Sequence, residues 1–213
     1  MSDHEIYSLV LASDYRVKDL GRMWSNVKDR RAHLAGIGAH HIVVYESIWE
    51  PNRVLVTIGI RHRRSVEEVL RSPAIFEWFD VDGVNDIPAI FAGEVVEKID
   101  IEEPEADLIV AGVVVGTFTS VDDVAALMAK IHSELDGFRR AGIRKIWVYR
   151  AFDNEHEVLI LQEVDSESSA RRWIEHPAAI AEWMTGAGFG AYPDLFVGSL
   201  AHVMTLDETL GMA

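Results

Sequence analysis

The chain has 213 residues, 49% hydrophobic and 26% charged, which is enough apolar side chain to build a core and excludes a wholly disordered polymer. Its 20 basic and 35 acidic residues leave a formal net charge of −15, which opposes binding to a phosphate backbone or an anionic membrane surface. With no cysteine, disulfides, thiolate metal sites and a cysteine nucleophile are excluded, a usage that fits a reducing cytoplasm.

The N-terminal residues have neither the basic nor the apolar region of a signal peptide, and no apolar run approaches the ~18 residues of a membrane span. A cytoplasmic protein without nucleic-acid or membrane partners is the expectation. Ile6 to Ala12 is an apolar run bounded by Ser13 and Asp14, and predicts a strand. From Val17 the apolar spacing lengthens through Leu20, Met23, Trp24, Val27 and Leu34 to that of one helical face, ending near Gly36 and Gly38. His41 to Trp49 and Arg53 to His62, joined at Glu50, Pro51 and Asn52, predict an antiparallel hairpin. Ser65 and Glu68 have capping-box spacing at the start of a second helix, which Pro73 should bend or break. Ile90 to Ile101 predicts the last strand of a β-α-β-β-α-β half.

The acidic, proline-containing stretch 102–107 has the composition of a linker, separating a first module at 1–101 from a second at 108–213. The second half repeats the order. Leu108 to Thr117 predicts a strand, and a helix from Ser120, with Asp123 three residues on, runs through Leu127, Ile131 and Phe138. Strands at Arg144 to Phe152 and Glu157 to Asp165, a helix from Ser166 that meets Pro177, and a strand at Leu195 to Leu206 complete it. The halves also match residue for residue. Ile42, Val44, Tyr45, Val54, Leu55, Pro73 and Ala74 meet the same residue types 104 positions later, at Ile146, Val148, Tyr149, Val158, Leu159, Pro177 and Ala178. At an offset of 105, Glu77-Trp78, Gly83, Pro88, Phe91 and Gly93 meet Glu182-Trp183, Gly188, Pro193, Phe196 and Gly198. This is the signature of an internal duplication.

Two such units, with a P-A…E-W helix and a final F-x-G strand, resemble the dimeric α+β barrel superfamily that includes the antibiotic-biosynthesis monooxygenase-like proteins. The resemblance spans nearly the whole chain and is one of topology and patterning. It implies an α+β fold of two ferredoxin-like modules packed sheet to sheet, here an intramolecular pseudo-dimer, with further homo-oligomerisation left open. The alternation in Arg53 to His62 agrees: Val54, Val56, Ile58 and Ile60 share one face and Leu55, Thr57 and Gly59 the other, so both faces ask for cover.

Members of the superfamily differ in chemistry, so the fold does not decide function. The resemblance implies a small apolar or aromatic ligand between the sheet and the bent second helix, and either a cofactor-independent oxygenase or isomerase or a non-catalytic ligand-binding or scaffold protein. There His176 is the candidate base, a neutral imidazole suited to deprotonating a phenol or enol, and Tyr149 orients the substrate oxygen. Trp173, Trp183 and Trp147 shape the pocket, with Tyr45 and Trp78 as first-half counterparts. No cofactor is expected. The minor alternative is haem, since Trp173 and His176 lie three apart on one helical face, as a Trp and a His do, at wider spacing, in haem-degrading members. Arg61, in a basic cluster before the capped helix, could hold a carboxylate or phosphate, although the second half places Asp165 there. No metal site is expected: His40-His41 lacks a third ligand at metal spacing, and adjacent strand residues face opposite sides. Gly186 to Gly190 is followed by a proline and a strand, so it is a loop and not a nucleotide fingerprint.

Overall fold

The structure, a computed structural model, describes residues 9–62, 66, 70–71, 88–102, 112–175, 185–188 and 195–206, with only the backbone for 173 and 174. Its residues group into two compact units, one formed by Met1–Ala92 with Ala201–Ala213 and the other by Gly93–Leu200. The sequence repeats are contiguous, whereas the units change over within strands: inside Phe91–Asp100 (β4) at Gly93, and inside Leu195–Thr205 (β8) at Ala201.

The first unit contains β1 (Leu9–Arg16), α1 (Leu20–Asp29), α2 (Arg31–Gly36), β2 (Ala39–Ser47) and β3 (Arg53–Ile60). Its strands are hydrogen-bonded in the order β1-β3-β2, and the C-terminal part of β8 follows β2. Both neighbours of β3 are antiparallel to it, and Val54 to Ile60 are buried without a break, as two covered faces require. Strand β1 runs on through Ser13 and Asp14, where the sequence suggested an end. Ser13 Oγ donates to the Ala89 carbonyl at 2.9 Å, and the Asp14 carboxylate receives Arg53 Nε at 2.9 Å, so both polar side chains are satisfied. The hairpin turns at Asn52, whose φ of 63° lies in the left-handed region that asparagine tolerates.

The second unit contains β4, β5 (Val113–Ser120), α3 (Val124–Ser133), α4 (Leu135–Arg140), β6 (Ile143–Ala151), β7 (Glu157–Val164), α5 (Glu167–Ile174) and the N-terminal part of β8. Its strand order is β8-β5-β7-β6-β4. Residues of α3 and α4, including Leu127, Ile131 and Phe138, pack on Ile146, Val148, Val158 and Ile160. Alternation therefore leaves Lys145, Trp147, Tyr149, Leu159, Leu161 and Glu163 on the other face of the sheet. Asp123, not Ser120, caps α3: its backbone is extended, and its carboxylate accepts from Ala126 N–H at 2.8 Å.

Equivalent features recur 104 residues apart. Asp19 caps α1 as Asp123 caps α3, accepting from Arg22 N–H at 2.8 Å. The single helix read in each half is two, broken at Arg30 and at Glu134. Gly38 and Gly142 then enter the next strand with φ of 92° and 85°, values that favour glycine. The capping box at Ser65 and Glu68 and the two helix prolines, Pro73 and Pro177, lie outside the described residues.

Candidate functional site

On the sheet face of the second unit that looks away from α3 and α4, the Trp147 and Tyr149 rings stack, with centroids 6.2 Å apart and planes 11° from parallel. They stand two residues apart on β6, which puts both on one face. Lys98 lies beside Trp147 on β4 and holds its ammonium 5.1 Å from the indole centroid, a cation–π distance. Trp147 Nε1–H donates to Glu163 Oε1 at 3.4 Å. The other Glu163 oxygen faces Lys145 Nζ at 3.3 Å, and the two side chains are only 12% and 16% exposed for the lysine and the glutamate. The result is an aromatic surface with its tryptophan N–H tied down and a paired charge at its edge. Such a surface can stack a planar ligand and hold one polar substituent.

The matching positions of the first unit carry different chemistry. Tyr45 occupies the place of Tyr149, and both tyrosines are buried, but Val43, His41 and Gly59 stand where Trp147, Lys145 and Glu163 stand. Both units have a register shift at this point, between Ala39 and His41 and between Ile143 and Lys145. The bulge overturns the expectation that His40 and His41 face opposite sides, because an extra residue re-aims its neighbours. The two Nδ1 atoms are 2.8 Å apart, with ring centroids at 4.3 Å. A Cβ on Gly59 would come within 2.0 Å of His41 Cε1 and 2.7 Å of His40 Cε1, so both rings fill the space left by this glycine. Burial holds both imidazoles well below their ordinary range, to about 4 for His40, beside the Arg61 guanidinium, and about 3 for His41, beside His40. Both are neutral at about pH 7. A contact of 2.8 Å between neutral imidazoles makes one Nδ1 the donor and the other the acceptor.

Arg61, expected to hold an anionic ligand, donates from Nη2 to the Leu206 carbonyl at 3.2 Å. Leu206 N–H in turn donates to the His40 carbonyl at 2.8 Å, so arginine and histidine pair are tied to one stretch of backbone. Trp173 lies on α5, but its side chain, like all of His176, Trp183 and Trp78, is outside the described residues. Tyr149 and Trp147 are thus brought together, and Tyr45 and Arg61 belong to the other unit. Arg150 Nη2 bonds its cross-strand neighbour Glu94 at 3.0 Å. Sequence reasoning set the histidine pair aside for want of a way to see the bulge. The one available signal was Gly59 in a strand rich in β-branched residues, a mark of close approach.

Among the described residues, no group of three or more His, Asp or Glu could hold a metal ion, and no helix is long and apolar enough to cross a membrane. The Trp173 and His176 side chains, on which a haem role would rest, are not among them.

No protein-family model and no curated protein matches the chain. Solved structures do. An anthrone oxidase-like protein superposes with a TM-score of 0.64 at 13% identity, covering 99% of this chain and 98% of its own. A monooxygenase-like protein from Listeria innocua gives 0.51 at 11% identity, with 93% and 98% covered. An uncharacterised ferredoxin-fold protein from Listeria monocytogenes, described as related to antibiotic biosynthesis monooxygenases, gives 0.51 at 11% identity, with 94% and 99% covered. At these identities the likeness is one of fold, and it extends over nearly the whole of each chain.

Proposed function

From the premise that this chain has the dimeric α+β barrel fold of the antibiotic-biosynthesis monooxygenase-like proteins, we propose that it binds a small aromatic or apolar molecule and activates it by proton removal without a cofactor. The observation that supports this reading is the stacked Trp147–Tyr149 pair with Lys98 over the indole. In this reading the ligand ring lies along Trp147, and Tyr149 O–H donates to a ligand carbonyl or phenolate oxygen. His176 takes the proton, with Trp173 and Trp183 closing the second-half pocket. In the first half Tyr45 is the counterpart of Tyr149 and Trp78 of Trp183, and Arg61 offers positive charge. The recurrence of caps, breaks and bulges at one offset supports an internal duplication whose halves have since diverged.

For a carbon acid such as anthrone, a C–H bond breaks toward the base, and the resulting carbanion, stabilised as the enolate, reduces dioxygen. The overall balance is C14H10O + O2 → C14H8O2 + H2O, with two electron pairs passing to oxygen. Anthrone is therefore the first probe. Quenching of tryptophan fluorescence reports binding, and the absorbance of anthraquinone reports turnover. Trp147→Ala should weaken binding about tenfold or more, the order expected for losing an aromatic stack. His176→Ala should lower turnover at least tenfold while binding persists; if it leaves both intact, the base is assigned wrongly. Binding without turnover in the wild type would favour the non-catalytic alternative, and a Soret band on titration with haemin would replace the cofactor-free reading.

A further inference from the structure

The first unit holds a second arrangement of acid–base groups, independent of Tyr149 and His176. A bulge in β2 turns two consecutive imidazoles to one face, and a glycine in β3 leaves room for both. The face they share also presents Leu55 and Thr57 of β3, both buried, so the surroundings are mostly apolar. The Arg61 charge lies beside His40, with its Nη2 anchored on the Leu206 carbonyl. The second unit spends the same positions on a Lys145–Glu163 ion pair under Trp147, which satisfies both charges and leaves no neutral base.

We propose that the His40–His41 pair is a proton-abstracting site of the first unit, acting on an apolar small molecule with one acidic C–H or O–H group. The proposal rests on the reading that the protein binds such molecules. The 2.8 Å Nδ1 to Nδ1 contact fixes complementary tautomers, so the ring that donates through Nδ1 keeps a lone pair on Nε2. The ligand C–H or O–H bond breaks toward that Nε2, and its electron pair stays on the ligand as an enolate or phenolate. The new imidazolium passes its Nδ1 proton to the neighbouring ring, which becomes the cation. The charge created is thus spread over two rings, and the Arg61 guanidinium supplies positive potential for the anion.

The test is hydrogen–deuterium exchange at the acidic CH2 of anthrone, followed by proton NMR under nitrogen with the full chain carrying His176→Ala in deuterated buffer, so that the base of the second unit does not contribute. That chain should accelerate exchange over buffer alone. Adding His40→Gln or His41→Gln should lower that acceleration at least tenfold, and adding His132→Gln, at an exposed histidine paired with Glu97, should keep it. Full exchange by either pair variant overturns the proposal. In parallel, nitrogen-15 spectra of histidine-labelled wild type should show a complementary pair of ring tautomers whose signals move when anthrone is added. This measurement decides the matter if a variant does not fold. Ring signals that stay put while tryptophan fluorescence reports binding overturn the pair and leave the ligand-binding reading standing. Unchanged fluorescence removes that reading first.

Discussion

At the bulge in β2, two histidines that a regular strand would separate press ring against ring beside Gly59, and burial lowers the proton affinity of both. The pH dependence of stability follows with a definite sign. In the unfolded chain each imidazole protonates near 6.5; in the folded chain it does so only near 4 for His40 and 3 for His41. As pH falls below ~6.5 the unfolded state binds more protons, so stability declines by up to about 1.4 kcal/mol per pH unit for each ring until the folded values are reached. Urea unfolding at a series of pH values between about 7 and 5 should show His41→Gln with a shallower loss than wild type, by about 1 kcal/mol per unit averaged over that range. Gly59→Ala is a second residue-level test. Its methyl would sit 2.0 Å from His41 Cε1, so the rings must move, and a loss of about 1–3 kcal/mol is expected in the same assay. None of this was legible from residues 40 and 41 alone, because a bulge is a property of the strand pair and not of either strand's alternation.

At the scale of the element, local chemistry decided most of what was readable. The apolar stripe from Leu20 to Leu34 is helical, but it is two helices, because at Arg30 the backbone leaves helical geometry, with φ −95° and ψ 7°, and its N–H is shared between the Asn26 and Val27 carbonyls at 3.3 and 3.2 Å. No glycine or proline marks that break, and its recurrence at Glu134 is visible only in three dimensions. Caps are more legible in kind than in position. Asp19 and Asp123 each hold one N–H of the first helical turn, so Asp19→Ala and Asp123→Ala should each cost about 1 kcal/mol, measured by chemical denaturation. Ser120, three residues before Asp123, belongs to the end of β5. The predicted strands lie within a few residues of the observed ones, and β1 extends furthest past its expected end because Arg53 neutralises Asp14 there.

For the whole molecule, charge and core set the expectations. A formal net charge of −15 makes the compact state self-repelling, so adding salt from low to physiological ionic strength at neutral pH should raise the thermal midpoint, as differential scanning calorimetry would show. Deep burial sets the other limit. Leu127 is fully buried among residues of the helix-facing core of the second unit, and Leu127→Ala should cost about 2–5 kcal/mol, read as a fall in the same midpoint. The grouping of residues belongs to this scale as well. Gly93–Leu200 forms one compact unit because β4 pairs with β6 from Gly93 onward, although β4 ends the first sequence repeat.

By itself the sequence determined the α+β class, the repeated order of elements, and the paired tyrosines Tyr45 and Tyr149. These follow from residue type and local periodicity, which act within a few positions along the chain. Only the tertiary structure decided that Trp147 stacks on Tyr149 under Lys98, that Arg150 bonds Glu94, and that His40 and His41 share one face beside Gly59. Each of these depends on strand register, and register is set by pairing between distant segments, so no single stretch of the chain carries it.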